Sequence, residues 1–198
     1  MSAVSVVGIA GNVTRPSRSS ALVAAVLKAV EERTDANLRL IELIDVGPTL
    51  LAALTPDRLD ADGKALIRAI EGANLVVVGT PVYRASYTGA LKHVFDLVRQ
   101  DAFAGKPVIL TATGGSQLHG LVTEHQLRPL FSFFNAFTLP TSIYATEADF
   151  RDYRITSAAV HDRIERAAWE AAGILEARLP QTFAPTARAA RLPAAATA

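Results

Sequence analysis

The chain has 198 residues, 50% of them hydrophobic and 20% charged, with a formal net charge of +1. That length supports one domain with a sizeable core, and so balanced a charge, with no Lys/Arg cluster, argues against nucleic-acid binding. There is no cysteine, which excludes disulfides, thiolate metal sites and cysteine nucleophiles.

The opening stretch "MSAVSVVGIAGN" has neither a basic start nor a long apolar run, so it does not read as a signal peptide. No apolar stretch is long enough to span a bilayer. A cytoplasmic protein fits both readings. "AVSVVGIAG" is short, apolar and valine-rich, which predicts a buried strand. A polar loop over residues 12–17 follows. "SSALVAAVLKAVEER" then places Leu22, Val23, Val26, Leu27 and Val30 at helical spacing. "NLRLIEL" alternates as a second strand. Residues 45–60, punctuated by Gly47, Pro48 and Pro56, read as irregular. "DADGKALIRAIEGA" predicts a helix and "NLVVVGT" a buried strand. "PVYRASY" is a loop, and "TGALKHVFDLV" opens a helix with Thr88 as its N-cap. "KPVILTAT" is another buried strand, followed by the loop "GGSQLHG". "AFTLPTSIYA" gives a last strand, and "TSAAVHDRIERAAWEAAGILEARL" a last helix.

Strands alternate with helices five times, and the strands are continuous apolar runs, as parallel strands covered on both faces should be. The expected fold is α/β: a flavodoxin-like, doubly wound, five-stranded parallel sheet in the order 2-1-3-4-5. One domain over residues 1–178 is expected, with an Ala/Pro-rich tail at 179–198 that lacks core periodicity and reads as disordered.

"HGLVTEHQLRPLFSFF" is the least regular helical stretch. Its apolar residues recur at helical spacing, yet Pro129 removes the amide that would bond the carbonyl of His125. That carbonyl must find water, a side chain or a wider i→i+5 bond. Phe131, Phe133 and Phe134 cannot all face one side of a helix, so an extra apolar face is expected to pack against another subunit.

In such a sheet, ligands sit beyond the carboxyl ends of the strands, near the switch point between strands 1 and 3. Three loops converge there. "GNVTRPSRSS" offers the hydroxyls of Thr14, Ser17, Ser19 and Ser20, two arginines and a helix N-terminus, a set suited to a phosphate monoester. It is neither a Walker loop nor a GxGxxG fingerprint. "GTPVYRASYTGALK" carries Pro81 and small residues that permit close backbone approach to a flat ligand, with Tyr83 and Tyr87 able to pack on it. "TATGGSQLHG" bares backbone amides at Gly114 and Gly115 and adds the Ser116 hydroxyl.

These three stretches, with "GLV…LRPL", resemble the NAD(P)H-dependent FMN reductases of flavodoxin-like fold. Within that family they are most similar to the reductases that serve two-component alkanesulfonate and methanesulfonate monooxygenases. The resemblance covers roughly residues 4–175. It implies FMN with its phosphate against Ser17, Arg18 and Ser19 and with Arg15 nearby. It implies a flavin lined by Pro81, Val82, Tyr83, Arg84 and Ser86, with Thr113, Gly114, Gly115 and Ser116 closing over the other edge. Hydride would pass from NADPH or NADH to FMN, chemistry that the cofactors carry. No catalytic side chain or metal is then required, and Arg84 and His125 become candidates for modulating roles. His125 falls where the alkanesulfonate-type members carry an inserted tyrosine that makes a short π-helical turn at a subunit interface. With the extra apolar face, this gives the expectation of a homotetramer built from dimers, or a homodimer; the resemblance also implies an FMNH2-dependent monooxygenase as partner. Two other readings stay open: an FMN-retaining quinone or azo reductase, and a flavodoxin-like electron carrier.

Overall fold

The computed structural model describes residues 4–178; the expected disordered tail lies outside the described residues. The elements run β1 Val4–Ala10, α1 Arg18–Glu31, β2 Ala36–Glu42, α2 Leu43–Leu51, α3 Ala61–Gly72, β3 Leu75–Pro81, α4 Gly89–Leu97, β4 Pro107–Gly114, α5 Arg128–Phe133, β5 Phe137–Thr138, β6 Ile143–Thr146, β7 Phe150–Arg151, β8 Arg154–Ile155 and α6 Ala158–Arg178. The main sheet is parallel in the order β2-β1-β3-β4-β5, with β6 also paired to β4. This is the expected flavodoxin-like order.

One detail differs at the edge. The single last strand read from "AFTLPTSIYA" is two short segments, β5 and β6, each paired with β4. Pro140 lies between them and cannot donate to a ladder, so the pairing is interrupted there.

The central strands are buried on both faces, and a core fills each side. On one side, Val7, Ile9, Val76, Val78 and Leu110 meet side chains of α2, α3, α4 and α5. On the other, Val6, Ala10, Val77 and Ile109 meet α1 and α6. Helix α1 crosses the switch point closely. A Cβ on Gly79 would lie 2.2 Å from Val23 Cγ2 and 2.7 Å from Thr111 Oγ1, so glycine there is a packing requirement.

Residues 45–60 contain a helix that the sequence pattern did not predict, α2, with Pro48 inside it. Proline and glycine argue against a helix locally, but Leu43, Gly47 and Leu50 are buried, and His93 Nε2 lies 2.8 Å from the Ala53 carbonyl and 3.2 Å from that of Leu50. Tertiary packing overrides the propensity.

The stretch around His125 is not a simple proline kink. It is a π-helical turn over Thr123–Leu127, which leads directly into α5. The wide bond runs from the Arg128 amide to the Thr123 carbonyl. Side chains brace the turn. Arg128 bonds both Glu124 carboxylate oxygens, at 2.5 and 3.0 Å, and also Thr138 Oγ1 at 2.7 Å. Ser142 Oγ donates to Glu124 at 2.8 Å. The three phenylalanines divide as their spacing requires: Phe131 and Phe134 are buried, while Phe133 is exposed.

Candidate functional site

Three loops at the carboxyl edge are tied together by their own hydrogen bonds. The Gly11 amide donates to the Gly79 carbonyl at 2.7 Å. Thr88 caps α4 by accepting from the Leu91 amide at 3.2 Å, and its hydroxyl also donates to the Gly11 carbonyl at 2.8 Å. The Val82 amide donates to the Thr113 carbonyl at 2.8 Å. Ser19 Oγ lies 2.5 Å from Thr113 Oγ1. Tyr144 passes beneath Gly114, where a Cβ would be 2.2 Å from its hydroxyl, and donates to the Ser116 carbonyl at 2.6 Å. Burial pushes the Tyr144 phenol above its ordinary range, so it remains a donor.

These loops enclose one cleft. It is lined by Thr14, Ser17, Arg18, Ser19, Pro81, Val82, Tyr83, Thr113, Gly114 and Gly115, all anticipated, and also by Asn12, Pro16, Glu147 and Tyr153. Ser17 is the N-cap of α1, its side chain accepting from the Ser20 amide. The amides of Arg18 and Ser19 at this helix start are beyond the reach of intrahelical acceptors. The positive end of the helix dipole and these free donors together favour an anion.

Two features mark the cleft as built for a ligand. Asn12 is buried, yet its Oδ1 has no hydrogen-bond partner, and leaving a buried acceptor unpaired costs free energy. The walls also rest on two tight turns with left-handed backbone at ordinary residues. In the first, Arg84 and Ala85 have φ of 49° and 63°. Tyr83 and Ser86 exchange both backbone bonds across them, at 2.8 and 3.0 Å. In the second, Asp152 and Tyr153 have φ of 49° and 60° and join β7 to β8. This geometry belongs to type I′ turns, where Asn, Asp and Gly are normal; Arg84, Ala85 and Tyr153 there store strain.

The remaining anticipated residues lie elsewhere. Arg15 points to β2 and α2, bonding Asp45 at 2.8 and 2.6 Å and Glu42 at 2.6 Å. Those carboxylates, Asp45 first, raise its pKa above the ordinary arginine value. Arg84 is exposed at the tip of its turn. Ser86 Oγ donates to Gln126 Oε1 at 3.2 Å, toward the π turn. Ser116 caps a short 3-10 turn by accepting from the Leu118 amide at 3.1 Å. His125 is exposed beside Ala85, Leu118, His119 and Leu121 in a shallow groove. Glu147 and Tyr153 were not anticipated. The signal was present: "TEADFRDY" directly follows the carboxyl end of the last strand, the same edge that singled out the other loops.

Comparison with known proteins decides the family. The family model for NADPH-dependent FMN reductases matches residues 4–150. The chain belongs to this family. An NADH-dependent FMN reductase, SfnF, of Pseudomonas fluorescens (strain Pf0-1) is 49% identical over 174 residues, covering 88% of this chain and 93% of that protein. An FMN reductase (NADPH) of Pseudomonas aeruginosa is 46% identical over 173 residues, covering 87% of this chain and 93% of that protein. Among solved structures, the apo form of the NADH:FMN oxidoreductase EmoB superposes with a TM-score of 0.78 at 31% identity, covering 86% of this chain and 89% of that one.

Proposed function

We propose that this FMN reductase family member oxidises NADH or NADPH, transfers the hydride to FMN in the cleft, and hands the reduced flavin to a separate monooxygenase. The reading places the reaction in the cytoplasm, where reduced pyridine nucleotide is made. The observation that carries it is the convergence of a capped helix N-terminus, hydroxyl donors and an unpaired buried acceptor on one cleft with flat, small-residue walls.

The residues fit the flavin part by part. The α1 start with Ser17, Arg18 and Ser19 suits the phosphate. Asn12 Oδ1, unpaired and buried, suits a hydroxyl of the ribityl chain. Pro81, Val82 and Tyr83 on one wall, with Thr113, Gly114 and Gly115 on the other, suit the ring; a Cβ at Gly115 would stand in open space. FMN, when bound, supplies a hydride acceptor, so the protein's task is to hold it, exclude water and leave one face open to nicotinamide. Exposed Arg84, on its strained turn, is positioned to meet the nicotinamide partner. Ser86 and Ser116 support this wall from behind, and Arg15 orders the phosphate loop through its two carboxylates.

The same reading makes the protein a homodimer or a homotetramer of dimers that uses the face around the π turn. Support comes from Leu118 and Leu121, which are 92% and 63% exposed and line one shallow groove beside His125, and from Phe133 further along α5, 61% exposed; large apolar side chains left in water suit an interface.

The test is steady-state oxidation of NADH and of NADPH by flavin-free protein with added FMN, FAD or riboflavin. FMN-dependent turnover is expected, with flavin that washes out on dialysis. Failure of both nucleotides to bleach added FMN would leave an electron carrier instead. Protein that stays yellow and reduces quinones by ping-pong kinetics would make it an FMN-retaining reductase. Light scattering at micromolar concentration tests the assembly, and a monomer would remove it.

A further inference from the structure

The fourteen residues lining the cleft include two charges, Arg18 and Glu147. They are paired with each other: Arg18 Nη2 donates to Glu147 Oε1. A phosphate dianion would therefore enter a site whose lining side chains carry no net charge. Its attraction would rest on amides, hydroxyls and the helix dipole.

Among the described residues, the Glu147 side chain makes no hydrogen bond or ion pair except with Arg18. It is 69% exposed. Its neighbour Asp149, by contrast, is fully engaged, accepting from the Thr146 amide at 2.7 Å and the Thr146 hydroxyl at 2.8 Å. That capping box fixes the short turn Glu147–Asp149 at the end of β6. The same segment continues through the β7–β8 turn and brings Tyr153 under Arg18, whose guanidinium lies 5.3 Å from the ring centroid. Arg18 is the first residue of α1, next to the Ser17 cap. Its fork is thus held by a carboxylate and a ring from one anchored segment, at the helix end best suited to the phosphate. A carboxylate and a phosphate present the same paired oxygens to a guanidinium.

We propose that Glu147 sets how tightly the site retains FMN, by competing with the flavin phosphate for the Arg18 guanidinium. The inference rests on the FMN reductase reading and adds to it. An enzyme that passes reduced flavin onward needs a phosphate site that lets go, and an internal carboxylate on the phosphate-binding arginine provides one. Glu147 is then a specificity-determining residue: it acts on flavins that carry the 5′-phosphate and is indifferent to riboflavin.

The experiment is equilibrium titration of flavin-free protein with FMN and, separately, with riboflavin, followed by quenching of flavin fluorescence, for the unaltered chain, Glu147→Gln, Arg18→Gln and the double variant. Because Glu147 is exposed, Glu147→Gln folds as the parent does. Its FMN Kd is expected to fall about fivefold, the ratio corresponding to an exposed ion pair at the upper end of its range, chiefly through slower release. The riboflavin Kd stays the same. Arg18→Gln weakens FMN binding, and adding Glu147→Gln to it changes the FMN Kd by less than about twofold, because the competition has no object. An unchanged or weaker FMN affinity in Glu147→Gln, an equal gain for riboflavin, or a full gain in the Arg18→Gln background overturns the competition. Absence of FMN binding by the unaltered chain overturns the reductase reading itself, a distinguishable result.

Discussion

The two ends of the central sheet follow opposite rules. At the amino end of β4, Phe95, Phe103, Phe131 and Phe134 form a cluster of edge-to-face pairs with centroids 4.9 to 5.9 Å apart, and Phe95 and Phe134 meet at a tilt, 6.3 Å apart. Lys106 beside them reaches the last carbonyls of α3, donating to Glu71 O at 2.5 Å, and lies 5.0 Å from the Phe103 ring centroid. Burial pushes its pKa down to about 8. Backbone that turns left-handed at this end does so at Gly105 and Asn135, residue types that tolerate it. At the carboxyl end, left-handed backbone falls on Arg84, Ala85 and Tyr153 as well as on a tolerant Asp152, and a buried acceptor, Asn12 Oδ1, is left unpaired. One end is packed with rings and turns at residues that tolerate left-handed backbone, and carries stability. The other holds strain and open valence, and carries the site.

The sharpest way to break this comparison is to cut one aromatic from the packed end. Phe131 is fully buried, so Phe131→Ala should cost about 3–5 kcal/mol, seen as a lower midpoint in urea denaturation. Protein that remains folded should bind FMN as before. A large loss of FMN affinity with little loss of stability would mean that the two ends are not separable.

The next test acts on the open end. Asn12→Ala removes an acceptor that has no partner in the free protein and, with it, the Nδ2 donor to the Thr14 carbonyl at 3.3 Å, so stability should fall by about 1 kcal/mol, the worth of the donor's bond. FMN affinity should fall roughly fivefold, the value of one ordinary hydrogen bond. Equal affinity would show that Asn12 Oδ1 does not face the ligand.

A smaller effect compares backbone strain directly. Ala85→Gly relieves a left-handed alanine and should raise stability by up to about 1 kcal/mol. Asn135→Gly, at a residue already suited to its φ of 53°, should move it by less than about 0.5 kcal/mol. Equal gains at both sites in a chemical denaturation series would remove the distinction between the ends.

The comparison also explains what could be read from the sequence. Strands β1, β3 and β4 are buried on both faces, and a valine-rich apolar run is sufficient to announce such a strand. Their order follows from the alternation with helices, and the cleft from the edge rule, so Ser17 to Ser19, Pro81 to Tyr83 and Thr113 to Gly115 come together as expected. The π turn was legible through the family resemblance at His125; Pro129 alone left a simple kink open, and the wide bond in fact runs from Arg128 to Thr123. Other features depend on contacts distant in sequence. Helix α2 contains Pro48 and exists because Leu43 and Leu50 are buried. Arg15 turns from the phosphate loop to Glu42 and Asp45, some thirty residues on, and no local pattern tells an arginine which anion it will meet. Tyr153 reaches the cleft through a β7–β8 hairpin whose strands are two residues each, too short to show a period, while Glu147 sits on the short turn directly after β6, where only the edge rule could have marked it.

The smallest expected effect probes the boundary between the two regimes, the braced π turn. Hydrogen bonding from Arg128 holds the Glu124 carboxyl below its ordinary range; partial burial opposes this, and Ser142 adds to the lowering. A carboxylate depressed in the folded state contributes stability above its unfolded pKa of about 4.3, and that contribution is lost as pH falls through the lower folded value. The pair is partly exposed, with side-chain accessibilities of 25% and 36%, so solvent screening keeps its worth under about 1 kcal/mol. Glu124→Gln keeps the shape and removes the charge. At pH 7 it should be less stable than the parent by that small amount. In acid the parent's Glu124 becomes protonated and resembles the glutamine, so the two stability curves should converge as pH drops below about 4. Urea midpoints measured between pH 7 and pH 3 decide this. Parallel curves would mean that the π turn is braced by shape alone, as the aromatic end is, and that its charges belong to neither regime.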